Sequence, residues 1–585
     1  MKYSVLADAY ERMEHTSKRL ELTEILSDLF KITPLGLLAR VVYLTQGKLY
    51  PDFYGIEIGI ADKFAMKAIL ETSLLSSKEI QEEYRRSGDL GTAAFRALNM
   101  KAQYPLISKE LTVDGVYETL DTMARSSGVG AGAFKLRRMT SLLSYAEPNE
   151  AKYLIRTITG KLRLGIADYT LLDALSAAYL GDTAFRKRLE VAYNLSSDLG
   201  LVARVVAEHG LKGLRKFRAK VGTPIRPMLA ERLASATEAL DKIGERVAAE
   251  YKLDGERLQI HIQPGGLRIF SRRLENVTNH FPDVVRVCRH GLRSKKAIVE
   301  GEAVAIDRET GKLLPFQELM HRRRKYGVTE AVEQYPTCVF LFDMLYLEGR
   351  NLMALPYLQR RKTLQAEVRE NQQRLKLVDQ IVSDSPGEIE DFLDRAISAG
   401  SEGLVIKDLR GSYRAGAREF LWIKLKKEYR DELSDTLDLV VVGAIHGKGR
   451  RAGWYGSFLL AVYDHEKDTF ESITKVGTGF SDDQLSSLYE SLEGIRIARK
   501  HPRVRSRMQV DVWFEPKVVL EVVGSEITLS PIHTSNLNSI RKGMGFAIRF
   551  PKFVGKQRHD KRPEDATTTF QISELYLSQL KRIKS

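Results

Sequence analysis

The apolar period of this chain changes once, and that change fixes what it can fold into. Up to about residue 222 apolar side chains recur at three-to-four spacing, as in Leu20, Leu22, Ile25, Leu26, Leu29 and Phe30, the pattern of amphipathic helices. The hexapeptide Gly222-Thr223-Pro224-Ile225-Arg226-Pro227 then concentrates two prolines and a glycine, which reads as a linker or a domain entry. Beyond it strands are expected at 297–306 and 339–346 and a helix at 389–398, an α+β block of about 200 residues. After Asp431 the strands shorten and glycine turns multiply, with strands expected at 437–442, 458–463, 471–475 and 518–523. That tail suggests a small β-barrel followed by a C-terminal helix. The expected domains are therefore 1–222, all helical; 223–430, α+β with antiparallel sheets; and 431–585, the barrel. A prior of about 150 residues per domain predicts three or four for this length.

Composition narrows the partners. Lys plus Arg number 91 against 76 Asp plus Glu, a net charge of +15, which favours a polyanion such as nucleic acid. The two cysteines, Cys288 and Cys338, offer neither a disulfide framework nor a Cys-x-x-Cys pair, so structural zinc is not expected and a reducing compartment is. No 18-residue apolar run and no secretory signal occur, so a soluble, intracellular protein without a membrane partner is expected.

Chemistry concentrates on one amine. Lys252-Leu253-Asp254-Gly255 lies between an expected strand at 247–251 and a second one in which Leu258, Ile260 and Ile262 alternate with polar residues. A lysine at neutral pH is an ammonium and attacks nothing until it loses a proton, so a nucleophilic lysine needs nearby positive charge or desolvation. In Trp422-Ile423-Lys424-Leu425-Lys426-Lys427 the strand period puts Trp422, Lys424 and Lys426 on one face and Ile423 and Leu425 on the other. A solvated edge strand is the plain alternative for those lysines. Glu302 shares a strand face with Ile298, Val304 and Ile306, and a carboxylate among apolar neighbours requires a cation, metal or hydroxyl. Glu402 likewise enters a strand beside a glycine, so the two acids could hold a divalent metal or a ribose, with structural ion pairs as the alternative. Phe342 follows an apolar run and could pack in the core or stack on a base.

In this order the segments resemble the covalent nucleotidyltransferases, most closely the ATP-dependent DNA ligases of the archaeal and eukaryotic replicative type. The resemblance spans nearly the whole chain: Lys252-Leu253-Asp254-Gly255-Glu256-Arg257, Ser271-Arg272-Arg273-Leu274-Glu275, Glu300-Gly301-Glu302-Ala303-Val304-Ala305, then 340–347, 402–407 and 422–427. Near the end, Arg549-Phe550-Pro551-Lys552-Phe553 and Arg558-His559-Asp560-Lys561 resemble the last motif, carried in the family by an OB-fold domain. The resemblance implies that Lys252 carries the adenylate and that Glu250 and Phe342 contact adenine. It also implies that Arg257 and Arg272 touch the nucleotide phosphate or the DNA 5′-phosphate, that Glu302 serves ribose and Mg²⁺, and that Glu402 is a second metal-side acid. Arg418, Lys424 and Lys426 would bind the ATP phosphates, and Arg558 and Lys561 would orient pyrophosphate. The implied reaction is the sealing of nicks in duplex DNA during replication, recombination and repair. An RNA ligase or a capping-type nucleotidyltransferase is the alternative within the superfamily, and a non-catalytic duplex-binding protein the alternative outside it.

The helical region holds Gly128-Val129-Gly130-Ala131-Gly132-Ala133-Phe134-Lys135, which no strand precedes, so a dinucleotide fingerprint is rejected. A glycine-rich helix entrance with free backbone N–H groups suits a DNA phosphate instead, a plain interhelix turn being the alternative. Gly160-Lys161-Leu162-Arg163-Leu164-Gly165 resembles a matching DNA-binding element of the family. Gly128, Gly130, Lys135, Lys161 and Arg163 are the expected DNA contacts, with an affinity that falls steeply as salt rises. Segment 446–456 mixes basic, glycine and aromatic residues and suits nucleic acid, although Trp454 could equally pack, and Arg322-Arg323-Arg324-Lys325 reads as solvated surface. Gln103-Tyr104-Pro105-Leu106-Ile107 corresponds to a sliding-clamp docking segment without its paired aromatics. The protein is expected to act as a cytoplasmic, nucleoid-associated monomer.

Overall fold

Among the described residues the elements from Tyr3 to Leu214 are all helices, and the first strand, Leu229–Arg232, follows the proline-rich linker. The computed structural model describes residues 1–100, 110–244, 246–307, 312–314, 316–320, 322, 328–369, 374–426, 436–447, 451 and 453–584. The chain divides into two compact units, Met1–Ile80 with Ala94–Lys426, and Gln81–Ala93 with Lys427–Ser585. The clamp-like segment 103–107 lies outside the described residues, as do 323–325.

In the first unit two sheets follow the helices. One is five-stranded, in the order Leu229–Arg232, Arg418–Lys426, Gly403–Asp408, Val247–Lys252, Gln380–Ser383. Its outer face buries Val247, Ala249, Leu404, Ile406, Ile423 and Leu425 under Ala239 of one helix and Ile389, Phe392 and Leu393 of another. The other sheet is six-stranded and runs Gly266–Ser271, Glu256–Gln263, Ala297–Ala305, Thr337–Leu347, Arg350–Asn351, with Leu375–Leu377 added alongside Thr337–Leu347. Its outer face packs against Val284 and Cys288 of the helix Pro282–Gly291. Most neighbours are antiparallel, as expected, but Leu229–Arg232 with Arg418–Lys426 and Leu375–Leu377 with Thr337–Leu347 are parallel. Both cysteines are buried, and burial pushes the thiols up, Cys288 to about 12 and Cys338 to about 11, which leaves them inert packing groups.

Arg322 departs from the surface reading of its basic run. It is 1% exposed and donates to Asp283 at 2.6 Å and Thr337 at 2.9 Å, the carboxylate compensating the buried charge.

In the second unit the strand Leu437–His446 pairs with Tyr455–Asp464 on one side and, on the other, with Val519–Val523 and then Val512–Phe514. Register shifts at Val441/Gly443 and Ile445/His446 bend it, which lets one strand serve two successive partners as the sheet curls. Phe458, Leu460, Phe514 and Leu520 fill the interior, and Trp454 packs against them. The helix Asp482–Glu493 covers that core and opens on a capping box, with Ser481 accepting from the Gln484 backbone and Gln484 returning the bond. Replacing Ser481 with Ala is expected to cost about 1 kcal/mol, read as a lower denaturant midpoint of this unit at unchanged slope. The closing helix Thr569–Lys584 sends Ile572 into the same core.

Candidate active site

Strand register builds the site. Gly403, the first residue of the central strand of the five-stranded sheet, lies opposite Lys252 on one neighbour and Lys426 on the other. Two residues on, Val405 lies between Glu250 and Lys424, and Lys407 between Ala248 and Trp422. Alternation turns all of these to the inner face while Leu404, Ile406 and the residues opposite them go to the core. Lys252, Lys424 and Lys426 therefore share a face with Glu250 and Lys407. Gly403 cannot carry a side chain: at φ +148 its added Cβ would stand 2.1 Å from the Leu425 carbonyl oxygen. Gly255 is fixed the same way, because a Cβ there would meet the Ala303 carbonyl oxygen at 2.3 Å as the chain crosses from one sheet to the other.

Glu402 precedes Gly403 and so stands between the two lysines. It accepts from Lys252 Nζ, and from Lys426 Nζ at 2.8 Å, while its backbone N–H donates to the Lys252 carbonyl oxygen at 2.8 Å. Burial alone would raise the Glu402 carboxyl, but Lys252 and Lys426 outweigh it and hold it at about 2. Lys424 is pushed down, first by burial and then by repulsion from Arg418, Lys252, Lys426 and Arg272. Arg272 and Arg418 are exposed, Lys252, Lys424 and Lys426 half-buried. On the facing sheet, burial pushes Glu302 up to about 8, against the pull of Lys252 and Arg257 and helped by repulsion from Glu402 and Asp254. Asp254 is raised too, by burial and then by its hydrogen bond to Glu402.

Three carboxyl groups thus converge on the lysine: Glu402 is neutralised by Lys252 and Lys426, whereas Glu302 and Asp254 are raised by burial. Among the described residues no group of three or more Asp, Glu, His or Cys forms a ready-made metal site. Hard oxygen donors of this kind fit Mg²⁺, which uses one or two carboxylates together with substrate phosphates.

Deeper in the cleft Arg257 donates to Glu300 at 2.8 Å and to the Met228 carbonyl oxygen at 2.8 Å, with the Phe342 and Trp422 rings 5.3 and 5.4 Å away. Its guanidinium is engaged by protein, whereas the half-buried Phe342 ring lines the space beside it. Glu250 is 2% exposed and lies in a network of Lys407, Tyr357, Gln380 and Arg361. None of those four, nor Asp254, was assigned a role from sequence. Lys407 carries a signal in the sequence, since it shares a strand face with Val405 and follows the apolar run 404–406.

Arg558 and Lys561 lie in the second unit and converge on Asp438, at 3.1 and 2.6 Å. In the helical region Gly128 and Gly130 both adopt φ +85, which only glycine takes readily, and Gly130 caps the helix Ala131–Tyr145 that carries Lys135. Lys161 pairs with Asp62 at 2.5 Å and, with Arg163, Gln46 and Lys48, lines a concavity of about 520 Å³. That concavity shares no lining residue with the Lys252 site.

Comparison with known proteins agrees with this layout. The family described as "ATP dependent DNA ligase domain" matches residues 227–426, "DNA ligase N terminus" 2–176, and "ATP dependent DNA ligase C terminal region" 451–561. A DNA ligase of Cenarchaeum symbiosum is 51% identical over 582 residues, covering 99% of this chain and 98% of that protein. One of Nitrosopumilus maritimus is 49% identical over 581 residues, covering 99% of each. A solved structure named Pmar-Lig_PreS3 shares the fold, with a TM-score of 0.53 at 16% identity over 94% of this chain and 99% of that one.

Proposed function

The chain belongs to the ATP-dependent DNA ligases, and from that premise we propose which of its residues carry out nick sealing and how. The observation that carries the reading is the three-strand register that sets Lys252 and Lys426 on either side of Gly403. In the first step Lys252 Nζ, once deprotonated, attacks the α-phosphorus of ATP; a P–N bond forms, the P–O bond to pyrophosphate breaks, and the amine's proton leaves to solvent. Lys424, Lys426, Arg418 and Arg272 face the charge that develops on the phosphates. Glu302 and Glu402 would hold Mg²⁺, which when bound neutralises phosphate oxygens. Glu250 and Phe342 receive the adenine, and Arg558 and Lys561 orient the departing pyrophosphate. The 5′-phosphate of the nick next displaces Lys252 from the AMP phosphorus, and the 3′-hydroxyl then attacks the 5′-phosphate and releases AMP.

The helical region supplies the DNA grip through Gly128, Gly130, Lys135, Lys161 and Arg163, contacts that position the duplex without reading its sequence. Among the described residues no helix is long and apolar enough to cross a membrane. The working setting we propose is the cytoplasm, on nucleoid DNA, as a monomer, with 103–107 as a clamp-docking segment.

Incubation with α-labelled ATP and Mg²⁺ tests the reading. Covalent label is expected on the protein and should discharge onto nicked DNA, not onto nicked RNA or a capping acceptor. Absence of label, or discharge onto RNA alone, would overturn it.

A further inference from the structure

Tyr357 opens the helix Tyr357–Glu367, is fully buried, and points its hydroxyl at Glu250. It cannot drift: its backbone N–H donates to the Gly411 carbonyl oxygen at 2.9 Å, and one turn on Arg360 is locked to Asp343 at 2.8 Å, both side chains 0% exposed. Gln380 Nε2 donates to the Tyr357 hydroxyl at 2.6 Å, so the phenol's own proton is directed to Glu250 Oε1. That oxygen is crowded further by Gln380 at 3.3 Å and Arg361 at 3.5 Å. Glu250 Oε2 has Lys407 Nζ at 2.5 Å as its partner.

The carboxylate is thus held at both oxygens, at Oε1 by the Tyr357 hydroxyl and at Oε2 by the Lys407 ammonium. An ionised carboxylate only accepts and an ammonium only donates. Adenine presents a donor at its 6-amine, and guanine an acceptor at its 6-oxygen. A purine whose 6-position meets Glu250 is therefore accepted as adenine and repelled as guanine, provided that Glu250 and Lys407 do not exchange places. What prevents the exchange is the tether on Oε1. Gln380 and Arg361 contribute long contacts to it, while Tyr357 supplies the close one.

We infer that Tyr357 is a positioning residue for nucleobase selection: its hydroxyl holds Glu250 in the orientation that favours ATP over GTP. This rests on the reading of Glu250 as the adenine contact. Tyr357→Phe removes one O–H and keeps the ring against Lys407, 4.7 Å from its centroid. Self-adenylation of the full chain would be followed with labelled ATP, GTP and purine riboside triphosphate, which has no 6-substituent.

The ATP-to-GTP ratio of kcat/KM is expected to fall about tenfold or more, through KM for ATP, with purine riboside triphosphate unchanged. An unchanged ratio, or an equal loss with all three nucleotides, overturns the role. Glu250→Gln separates the two levels. If it leaves the ratio intact, the adenine reading itself fails; if it collapses the ratio and Tyr357→Phe does not, only the tether fails.

Discussion

Replacing Lys252 with Ala abolishes covalent labelling by α-labelled ATP, a loss of at least about 10⁴-fold, because Lys252 is the amine proposed to form the P–N bond. Transfer of AMP to a 5′-phosphate disappears with it, since that step consumes the lysyl adenylate. Sealing of a nick that already carries AMP should persist in part, because there the nucleophile is the DNA 3′-hydroxyl and the lysine contributes only charge. Lys252→Arg sharpens the test. A guanidinium keeps the charge against Glu402 but does not deprotonate in a protein, so Arg should fail in labelling as completely as Ala. Self-adenylation of the Ala variant at the parent's rate would remove Lys252 from the mechanism, and Lys426, which shares Glu402 with it, would become the residue to examine.

Period-two alternation was enough to put Lys424 and Lys426 on one face and Ile423 and Leu425 on the other, and the structure places Ile423 and Leu425 in the core. It also placed Lys252 at a strand end. Alternation says which face a residue takes but not which strands become neighbours. The meeting of Lys252, Glu402 and Lys426 depends on the pairing of strands some 150 residues apart, and no local signal carries that. Inward-facing charges on helices were hidden for another reason. Tyr357–Glu367 has two consecutive arginines and little apolar segregation, so it reads as solvent-exposed, yet Arg360 and Arg361 are both buried against carboxylates and carbonyl oxygens. Arg322 misleads in the same way: a run of basic residues has the composition of a surface, and only the buried Asp283 makes its first member structural.

Glu402→Gln is expected to slow self-adenylation about 10²-fold at saturating ATP and to raise the Mg²⁺ concentration needed for half-maximal rate. Two effects oppose each other. In the free enzyme Lys252 is ion-paired with Glu402, so removing the carboxylate's charge frees the amine from that contact. The pair is a quarter exposed on each side, 25% for Lys252 and 23% for Glu402, so water screens part of its attraction. Against that release stands the loss of one of the two carboxylates proposed for Mg²⁺, and of the acid that bonds both Lys252 and Lys426. Electrostatic and acid–base groups at a reacting centre typically contribute 10²–10⁴-fold, so the loss wins. Glutamine keeps the length and the bond to Lys426, which separates charge from shape. A variant that labels as fast as the parent, with the same Mg²⁺ midpoint, would show Glu402 to be a structural ion pair and leave Glu302 as the sole metal-side acid.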